Sequence, residues 1–264
     1  MTTTHILGFP RIGADRELKK AVEAYWQGTS DRSALEVAAR ELRVRHWQLQ
    51  AEVGLDFVSV GDFAYYDQVL ELSGLLGVVP PRFAAAGSAV DLDLLFRMAR
   101  GRGAASTCGA GCTGHAAEAD ETFACEMTKW FDTNYHYIVP EFHADQAFGI
   151  HYRGLFEQVA EARALGYRVK PVLLGPLSYL YLGKAKGEAF DKLALLPALA
   201  TAYEAILKEL ADLGVDWVQV DEPILVLDLD PSWRRAFAGT YARLGAAPVR
   251  LLLATYFGRL GNNL

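Results

Sequence analysis

Four cations lie close together near the amino terminus, in a pattern suited to binding an anion. Arg11, Arg16, Lys19 and Lys20 surround the predicted start of the first helix. Their charges and the positive end of the helix dipole would both attract a negatively charged ligand. The alternative is that Lys19 and Lys20 form only the solvated face of an amphipathic helix. The local pattern by itself favours neither interpretation.

A second candidate cation is Lys129, which lies among aromatic residues that include Trp130, Phe131, Tyr135 and Tyr137. Its ammonium group could hold a carboxylate while the aromatic faces receive a flat ring or the cation itself. Aromatic residues at such spacing more often fill a core, with the lysine reaching out to water. The residue pattern therefore favours the core interpretation.

Two adjacent carboxylates, Asp221 and Glu222, follow a predicted strand and precede Pro223. Neighbouring side chains on a strand point to opposite faces, so the two groups should face different surroundings. They could act as the acid and base of a carboxylate-based barrel hydrolase, or they could neutralise buried cations. We favour the structural role. The candidate partners are Asp62 and Glu141 for catalysis, and Arg11 and Lys170 for charge neutralisation.

Soft metal ligands cluster in one region that is rich in glycine and alanine. Thiolate and imidazole groups suit Zn²⁺, but the spacing differs from the paired C-x2-C of common structural zinc modules. A glycine-rich loop also offers no rigid groups to orient the ligands. We therefore favour a mobile surface loop over residues 101–122 with incidental thiols. The residues concerned are Cys108, Cys112, His115 and Cys125.

Apolar strand-like runs alternate with helical patterns along the whole chain, which is typical of βα units and a parallel sheet. Helices are predicted over residues 16–26, from residue 30 or 31 to about 53, and over residues 199–213, with Leu35, Ala38, Leu42 and Leu49 as the buried stripe of the second. The predicted strands are residues 5–9, 55–61, 135–139, 168–174, 215–220 and 249–254.

Most predicted strands end in small or polar residues, and in a parallel barrel these ends share the ligand-binding face. We therefore predict a (β/α)₈ TIM-barrel type domain spanning residues 1–264. With six of the eight strands, the barrel would be incomplete. An open doubly wound sheet is the alternative, but no G-x-G-x-x-G loop follows the first strand.

Composition restricts the class of protein. The chain has 264 residues, 52% of them hydrophobic and 22% charged, which is enough apolar material for a sizeable core. A net charge of −6 argues against binding nucleic acid or an anionic membrane. No signal peptide or bilayer-spanning run is visible, and three cysteines suit a reducing compartment. We therefore expect a cytoplasmic protein.

Several motifs occur in an order that resembles the N-terminal part of cobalamin-independent methionine synthase. The agreement extends from Ile6 to the last residue. The matching stretches are Gly8-Phe9-Pro10-Arg11, Arg16-Glu17-Leu18-Lys19, Gly61-Asp62-Phe63, Glu126-Met127-Thr128-Lys129-Trp130-Phe131, Thr133-Asn134-Tyr135-His136-Tyr137, Lys170-Pro171-Val172-Leu173, Asp221-Glu222-Pro223 and Thr255-Tyr256-Phe257.

The resemblance implies a two-barrel enzyme that moves a methyl group from 5-methyltetrahydropteroyltri-L-glutamate to L-homocysteine without cobalamin. Zinc would activate the homocysteine thiol in a C-terminal barrel that is absent here, so no catalytic or metal-binding residue is expected in this chain. The N-terminal barrel would help to bind the folate. The folate-binding residues implied are Arg16, Glu17, Leu18, Lys19 and Lys129.

We accordingly expect the 264-residue chain alone to be catalytically inactive. Two other functions remain open from the sequence. One is a non-catalytic module that binds folate or another polyanion, and the other is the carboxylate-based hydrolase described above.

Overall fold

Short apolar strands alternate with helices in the computed structural model, which describes residues 2–84, 89–101 and 122–263. Within these ranges the elements in chain order are α1 (Glu17–Trp26), α2 (Arg32–Glu52), β1 (Val58–Val60), α3 (Gln68–Leu76), α4 (Leu92–Arg100), β2 (Met127–Lys129), β3 (His136–Ile138), β4 (Glu141–Phe142), α5 (Gly154–Ala164), β5 (Val169–Leu174), α6 (Pro176–Leu182), β6 (Lys184–Ala185), α7 (Leu196–Asp212), β7 (Trp217–Asp221), α8 (Pro231–Leu244) and β8 (Arg250–Ala254). Short 3₁₀ turns occupy Pro81–Phe83, Lys192–Leu195 and Pro223–Val226.

Four parallel strands form the main sheet in the order β1-β5-β7-β8. The register places Val58 beside Val169 and Asp221 beside Ala254. All six residues of β5 are buried, as expected for a central strand of a parallel sheet that is covered on both faces. The carboxyl ends of the four strands therefore lie along one edge of this sheet.

The described residues form a mixed α/β fold with a mainly parallel sheet, and they do not close into a barrel. The predicted strand at 135–139 exists as β3, but its place in the parallel sheet was predicted wrongly. It pairs antiparallel with β2, with Met127 opposite Ile138, while β1 pairs directly with β5. A hairpin partner a few residues away costs less loop entropy than a distant strand. A third small sheet joins β4 and β6.

Residues 5–9 were predicted to be the first strand, and this prediction was also wrong, because the segment carries no strand ladder. Side chains of the sheet bind its backbone instead. Ser59 Oγ donates to the carbonyl of Ile6 at 3.2 Å, and Gln219 Nε2 donates to that of Leu7 at 2.8 Å. The N–H of Phe9 donates to Asp62 Oδ2 at 2.6 Å. The segment is thus held against the sheet and leads into the basic loop.

The residues at which the helices were predicted to begin and end agree closely with the structure. Asp31 caps α2 by accepting a hydrogen bond from the N–H of Ala34 at 2.8 Å. Gly214 follows α7 with a φ of 75°, a left-handed conformation that favours glycine. The predicted buried stripe of α2 is confirmed at Leu35 and Leu42. It was wrong at Leu49, which is exposed, and at Ala38, which is half-buried, whereas Ala39, His46 and Trp47 are buried.

The core has a large cluster around the main sheet, a smaller one between α1 and α2 that includes Leu18 and Leu42, and a third that includes Leu70 of α3 and Leu95 of α4. Within the described ranges, none of the helices combines the length and apolar character needed to cross a bilayer. The predicted loop at 101–122 lies, for residues 102–121, outside the described residues.

Candidate functional site

A buried polar network extends from the interior of the main sheet to its carboxyl edge. Lys170 on β5 is only 2% exposed, and its Nζ donates to Oε1 of Gln219 on β7. Gln219 Nε2 in turn donates to Asp221 Oδ1 at 2.7 Å. The hydroxyl of Tyr256, just beyond β8, donates to Asp221 Oδ2 at 3.4 Å. One network therefore ties together three neighbouring strands at the edge where ligands bind in parallel sheets.

The network contains fewer cations than carboxyl groups. Burial lowers the pKa of Lys170 to about 8, although nearby Asp221 and Asp62 oppose this shift. Burial raises the pKa of Asp221 to about 6, and it also raises the pKa of Asp62. Lys170 is the cation whose charge acts on both carboxyl groups. Full ionisation would leave one negative charge without a balancing cation.

Glu222 has a different environment from its neighbour, as the alternation of strand side chains predicts. Its carboxylate accepts hydrogen bonds from the N–H groups of Leu177 and Ser178, at 3.2 and 2.8 Å, and from the hydroxyl of Tyr241 at 2.8 Å. The two N–H groups belong to the first turn of α6, where a negative charge is stabilising. Burial raises its pKa to about 7. Glu222 is therefore fully engaged in holding helices to the sheet.

Glycines allow the carboxyl edge to pack this closely. A Cβ atom on Gly175 would lie 2.2 Å from the carboxyl group of Glu222. Gly61, directly before Asp62, has a φ of 77°, and a Cβ there would lie 2.5 Å from the side chain of Leu155. Both positions need glycine for steric reasons, and Gly61 sets the direction in which Asp62 leaves β1.

The basic segment after residues 5–9 divides into exposed and buried residues. Arg16 and Lys19 are exposed, and Lys19 Nζ lies 3.4 Å from Glu23 one turn along the helix. Leu18 is only 1% exposed and belongs to the core between α1 and α2. Glu17 accepts a hydrogen bond from the N–H of Asp15 at 2.9 Å and pairs with Arg45 at 2.5 Å.

Arg16 adopts a left-handed backbone conformation, with a φ of 60°, at the residue preceding α1. Few non-glycine residues do so, and such strained positions are concentrated at ligand sites. Only two other non-glycine residues in the described ranges share this feature, and they are Phe131 and Phe257. No pattern in the sequence predicts these backbone conformations.

The hairpin β2–β3 presents Lys129 beside His136, its cross-strand partner, and both side chains are exposed. Trp130 and Tyr137 are buried, so the core interpretation was correct for these two aromatic residues. At the hairpin turn, Phe131 contacts Phe257, with ring centroids 5.4 Å apart. Because Phe257 follows Tyr256, this contact places the hairpin turn at the carboxyl edge of the main sheet.

A contact that sequence reasoning missed joins the two basic regions. The Nη2 of Arg11 lies 3.5 Å from the hydroxyl of Tyr135, and its guanidinium lies 5.8 Å from the centre of the Tyr135 ring. The same Nη2 donates to the carbonyl of Tyr66. Tyr135 precedes β3, so the loop that leads to Arg16 touches the hairpin that carries Lys129. The partners are 124 residues apart, and no local pattern signals such a contact.

Of the predicted cysteine cluster, Cys108, Cys112 and His115 lie outside the described residues. Cys125 is buried, and burial raises the pKa of its thiol to about 12. Arg82 Nη2 lies 3.3 Å from its sulfur and also pairs with Glu141. Among residues 2–84, 89–101 and 122–263, no group of three potential ligands could hold a metal ion.

These features define the class of protein as an α/β domain whose candidate ligand site lies at the carboxyl ends of parallel strands. The family model described as the N-terminal domain of cobalamin-independent synthase matches residues 3–264, and the chain belongs to this family.

Two solved structures share the fold. One, from Listeria monocytogenes, is provisionally named a vitamin-B12 independent methionine synthase; it is 14% identical, with a TM-score of 0.57 over 96% of this chain and 63% of that one. The other is a B12-independent methionine synthase from Shewanella sp. W3-18-1 in complex with selenomethionine; it is 17% identical, with a TM-score of 0.54 over 86% of this chain and 53% of that one. This chain thus spans less than two thirds of either structure.

Proposed function

We propose that this chain is the N-terminal part of a methyltransferase that transfers the methyl group of 5-methyltetrahydropteroyltri-L-glutamate to L-homocysteine, giving methionine. The role of this chain is to bind the acidic tail of the folate. The observation that supports this role best is the contact between Arg11 and Tyr135, which joins the basic loop to the hairpin carrying Lys129. A tail with several carboxylates needs cations from more than one element.

The exposed cations are available to such a tail. Within the described chain, Arg16 and Lys129 have no carboxylate within ion-pair distance, and Lys19 has only an exposed partner in Glu23. Exposed pairs of this kind contribute about 0.2–1 kcal/mol, so a ligand carboxylate can replace the partner at small cost. We therefore assign direct contacts with the tail to Arg16, Lys19 and Lys129.

Glu17 and Leu18 take positioning roles in this proposal. The Leu18 side chain is in the core, and its N–H donates to the carbonyl of Ile12 at 3.2 Å. The Glu17 carboxylate binds Asp15 and Arg45 and thereby orders the loop before α1. Both residues hold Arg16 and Lys19 in place without requiring contact with the ligand.

Phe131 and Phe257 offer a surface for a flat ring. Phe257 is 54% exposed, its ring contacts that of Phe131, and both residues adopt left-handed backbone conformations. Aromatic faces bind planar heterocycles by stacking. We therefore place the pterin near this pair and the glutamate tail toward the basic loop.

The residues described here include no group of three potential metal ligands. We propose that the metal and the homocysteine site belong to another part of the two-barrel enzyme. This 264-residue chain should therefore bind folate without transferring a methyl group. Zinc-dependent formation of methionine by this chain would contradict the proposal.

The test is a calorimetric titration with the triglutamate and monoglutamate forms of 5-methyltetrahydrofolate. The triglutamate should bind more tightly, and Lys129→Ala should weaken only the triglutamate, by about 3–10-fold, because it removes one charge-assisted contact. Raising the salt concentration should reduce the difference between the two ligands. A matched control is Lys208→Ala, which removes an exposed lysine from α7.

Equal affinity for the two folates in the unaltered chain would refute a tail-binding role. The hydrolase alternative is not proposed, since Glu222 has three hydrogen-bond donors within the fold and Glu141 is paired with Arg82.

A further inference from the structure

A separate cleft of about 290 Å³ opens beside the basic loop. Its lining includes Pro10, Arg11, Ile12, Asp62, Gln68 and Tyr135. The volume is at the small end of the range for ligand pockets, which suits a compact molecule better than a folate. The lining combines one cation and one carboxyl group with the apolar side chains of Pro10 and Ile12 and the polar groups of Gln68 and Tyr135.

Arg11 has unused hydrogen-bonding capacity toward this cleft. Both of its described hydrogen bonds use Nη2, which leaves Nε and Nη1 without a protein partner within the described residues. A guanidinium group carries five N–H donors in a planar fork that matches a carboxylate. Arg11 also forms no ion pair within the described chain, although its charge acts on buried Asp67 and Glu71. A carboxylate ligand would satisfy both its charge and its donors.

Asp62 has the complementary need. Its carboxyl group accepts hydrogen bonds from the backbone N–H groups of Phe9 and of Asp62 itself, and it forms no ion pair of 4 Å or less within the described chain. The nearby cation Lys170 has its Nζ bound to Gln219 and acts on Asp221 as well as on Asp62. An ammonium group from a ligand would supply the missing positive charge.

Arg11 and Asp62 do not pair with each other, although both line the same cleft. A cation and a carboxyl group that remain apart across a cleft complement a ligand with both charges. We propose that the cleft binds the zwitterionic head of an α-amino acid, with the carboxylate on Arg11 and the ammonium on Asp62. Pro10 and Ile12 then contact an apolar side chain of the amino acid.

This proposal shares Arg11 and Tyr135 with the proposed folate site, but it concerns a different ligand, and its experiments contain no folate. The probes are three molecules that share a butyl group on the carbon that bears the charged group or groups: L-norleucine carries both charges, hexanoate lacks the ammonium, and pentylamine lacks the carboxylate. Calorimetry or ligand-observed NMR with the 264-residue chain measures their affinities. Norleucine should bind at least about tenfold more tightly than either analogue, since each lost charged hydrogen bond costs roughly that factor.

Two variants test which residue binds the carboxylate of the ligand and which binds its ammonium group. Arg11→Gln should weaken norleucine by about tenfold or more and leave pentylamine unchanged, because pentylamine has no carboxylate to lose. Asp62→Asn should weaken norleucine and leave hexanoate unchanged, and its amide oxygen can still accept from Phe9. Arg234→Gln is the control, since Arg234 is exposed on α8 and does not line the cleft.

Three results would overturn the proposal: no binding of norleucine at millimolar concentration, hexanoate or pentylamine binding as tightly as norleucine, or Arg11→Gln binding norleucine as tightly as the unaltered chain. If Asp62→Asn fails to fold by circular dichroism, the comparison of the three probes with Arg11→Gln still decides the matter. Folate titrations give an independent result, so failure of one proposal leaves the other intact.

Discussion

The buried network at the carboxyl edge and the exposed basic rim carry similar charged groups but use them differently. In the buried network, Lys170 and Asp221 are bound to Gln219 and ordered by it. On the rim, Arg16 and Lys129 are exposed and have no ion-pair partner within the described chain. Buried charges must be satisfied within the protein, whereas exposed charges can remain free for a ligand. The comparison indicates that Lys170, Gln219 and Asp221 serve the fold and that the rim serves binding.

Four predictions test this division. The largest effect is expected for Glu222→Ala, which would leave two N–H groups of α6 and the hydroxyl of Tyr241 without their acceptor. Leaving buried polar groups unsatisfied should lower the free energy of unfolding by about 3–5 kcal/mol. Urea denaturation measures this change. Glu204→Ala, which removes an exposed partner of Arg243, should cost less than about 1 kcal/mol. Equal losses would show that Glu222 is not structural.

Leu18→Ala should come next, with a loss of about 2–5 kcal/mol in the free energy of unfolding, because it opens a cavity between α1 and α2. Leu49→Ala is the matched control, since Leu49 is 45% exposed and lies on α2. Thermal denaturation compares the two variants. A loss of folate affinity in Leu18→Ala without a loss of stability would instead place Leu18 in direct contact with the ligand.

Asp221→Asn tests the buried network through its pH dependence. Because the pKa of Asp221 is raised to about 6 in the folded chain, the folded state holds its proton more tightly than the unfolded state. Its ionisation therefore destabilises the fold progressively from about pH 4 to pH 6, by about 1–3 kcal/mol in total. The variant lacks this dependence, so its stability relative to the unaltered chain should rise over that interval. A constant difference across the interval would contradict the raised pKa.

The smallest effect on stability is expected for Lys129→Ala, which should change the free energy of unfolding by no more than about 0.5 kcal/mol because the side chain is exposed. Its effect should appear in the affinity for folate triglutamate instead. Chemical denaturation and calorimetry on the same sample measure both quantities. A large loss of stability would place Lys129 with the structural charges rather than on the rim.

Several elements were predictable because their signals are local. The strands β5, β7 and β8 are apolar runs whose composition favours a strand whichever neighbour they pair with. Helix α2 begins where Asp31 can cap it. The predictions that were wrong concern segments whose structure depends on contacts with residues distant in the chain. Residues 5–9 have the composition of a strand, but the sheet binds them through the side chains of Ser59, Gln219 and Asp62.

The candidate site was predictable to a similar degree. Arg16 and Lys129 were named from charge, from aromatic neighbours and from the family resemblance. The contact between Arg11 and Tyr135, which joins the two basic regions, could not be predicted because these residues lie 124 positions apart in the chain. The left-handed conformations of Arg16, Phe131 and Phe257 also carry no sequence signal, because each is imposed by its surroundings.

The amino-acid sequence by itself determined the family, most of the helices and strands, and the supply of cations near the amino terminus. Only the tertiary structure decided that β1 pairs with β5, that β3 turns back on β2, and that Arg11 and Asp62 share a cleft. The physical reason is that local propensity depends on neighbours in the chain. Strand pairing and charge burial depend on which distant groups compete for the same partners.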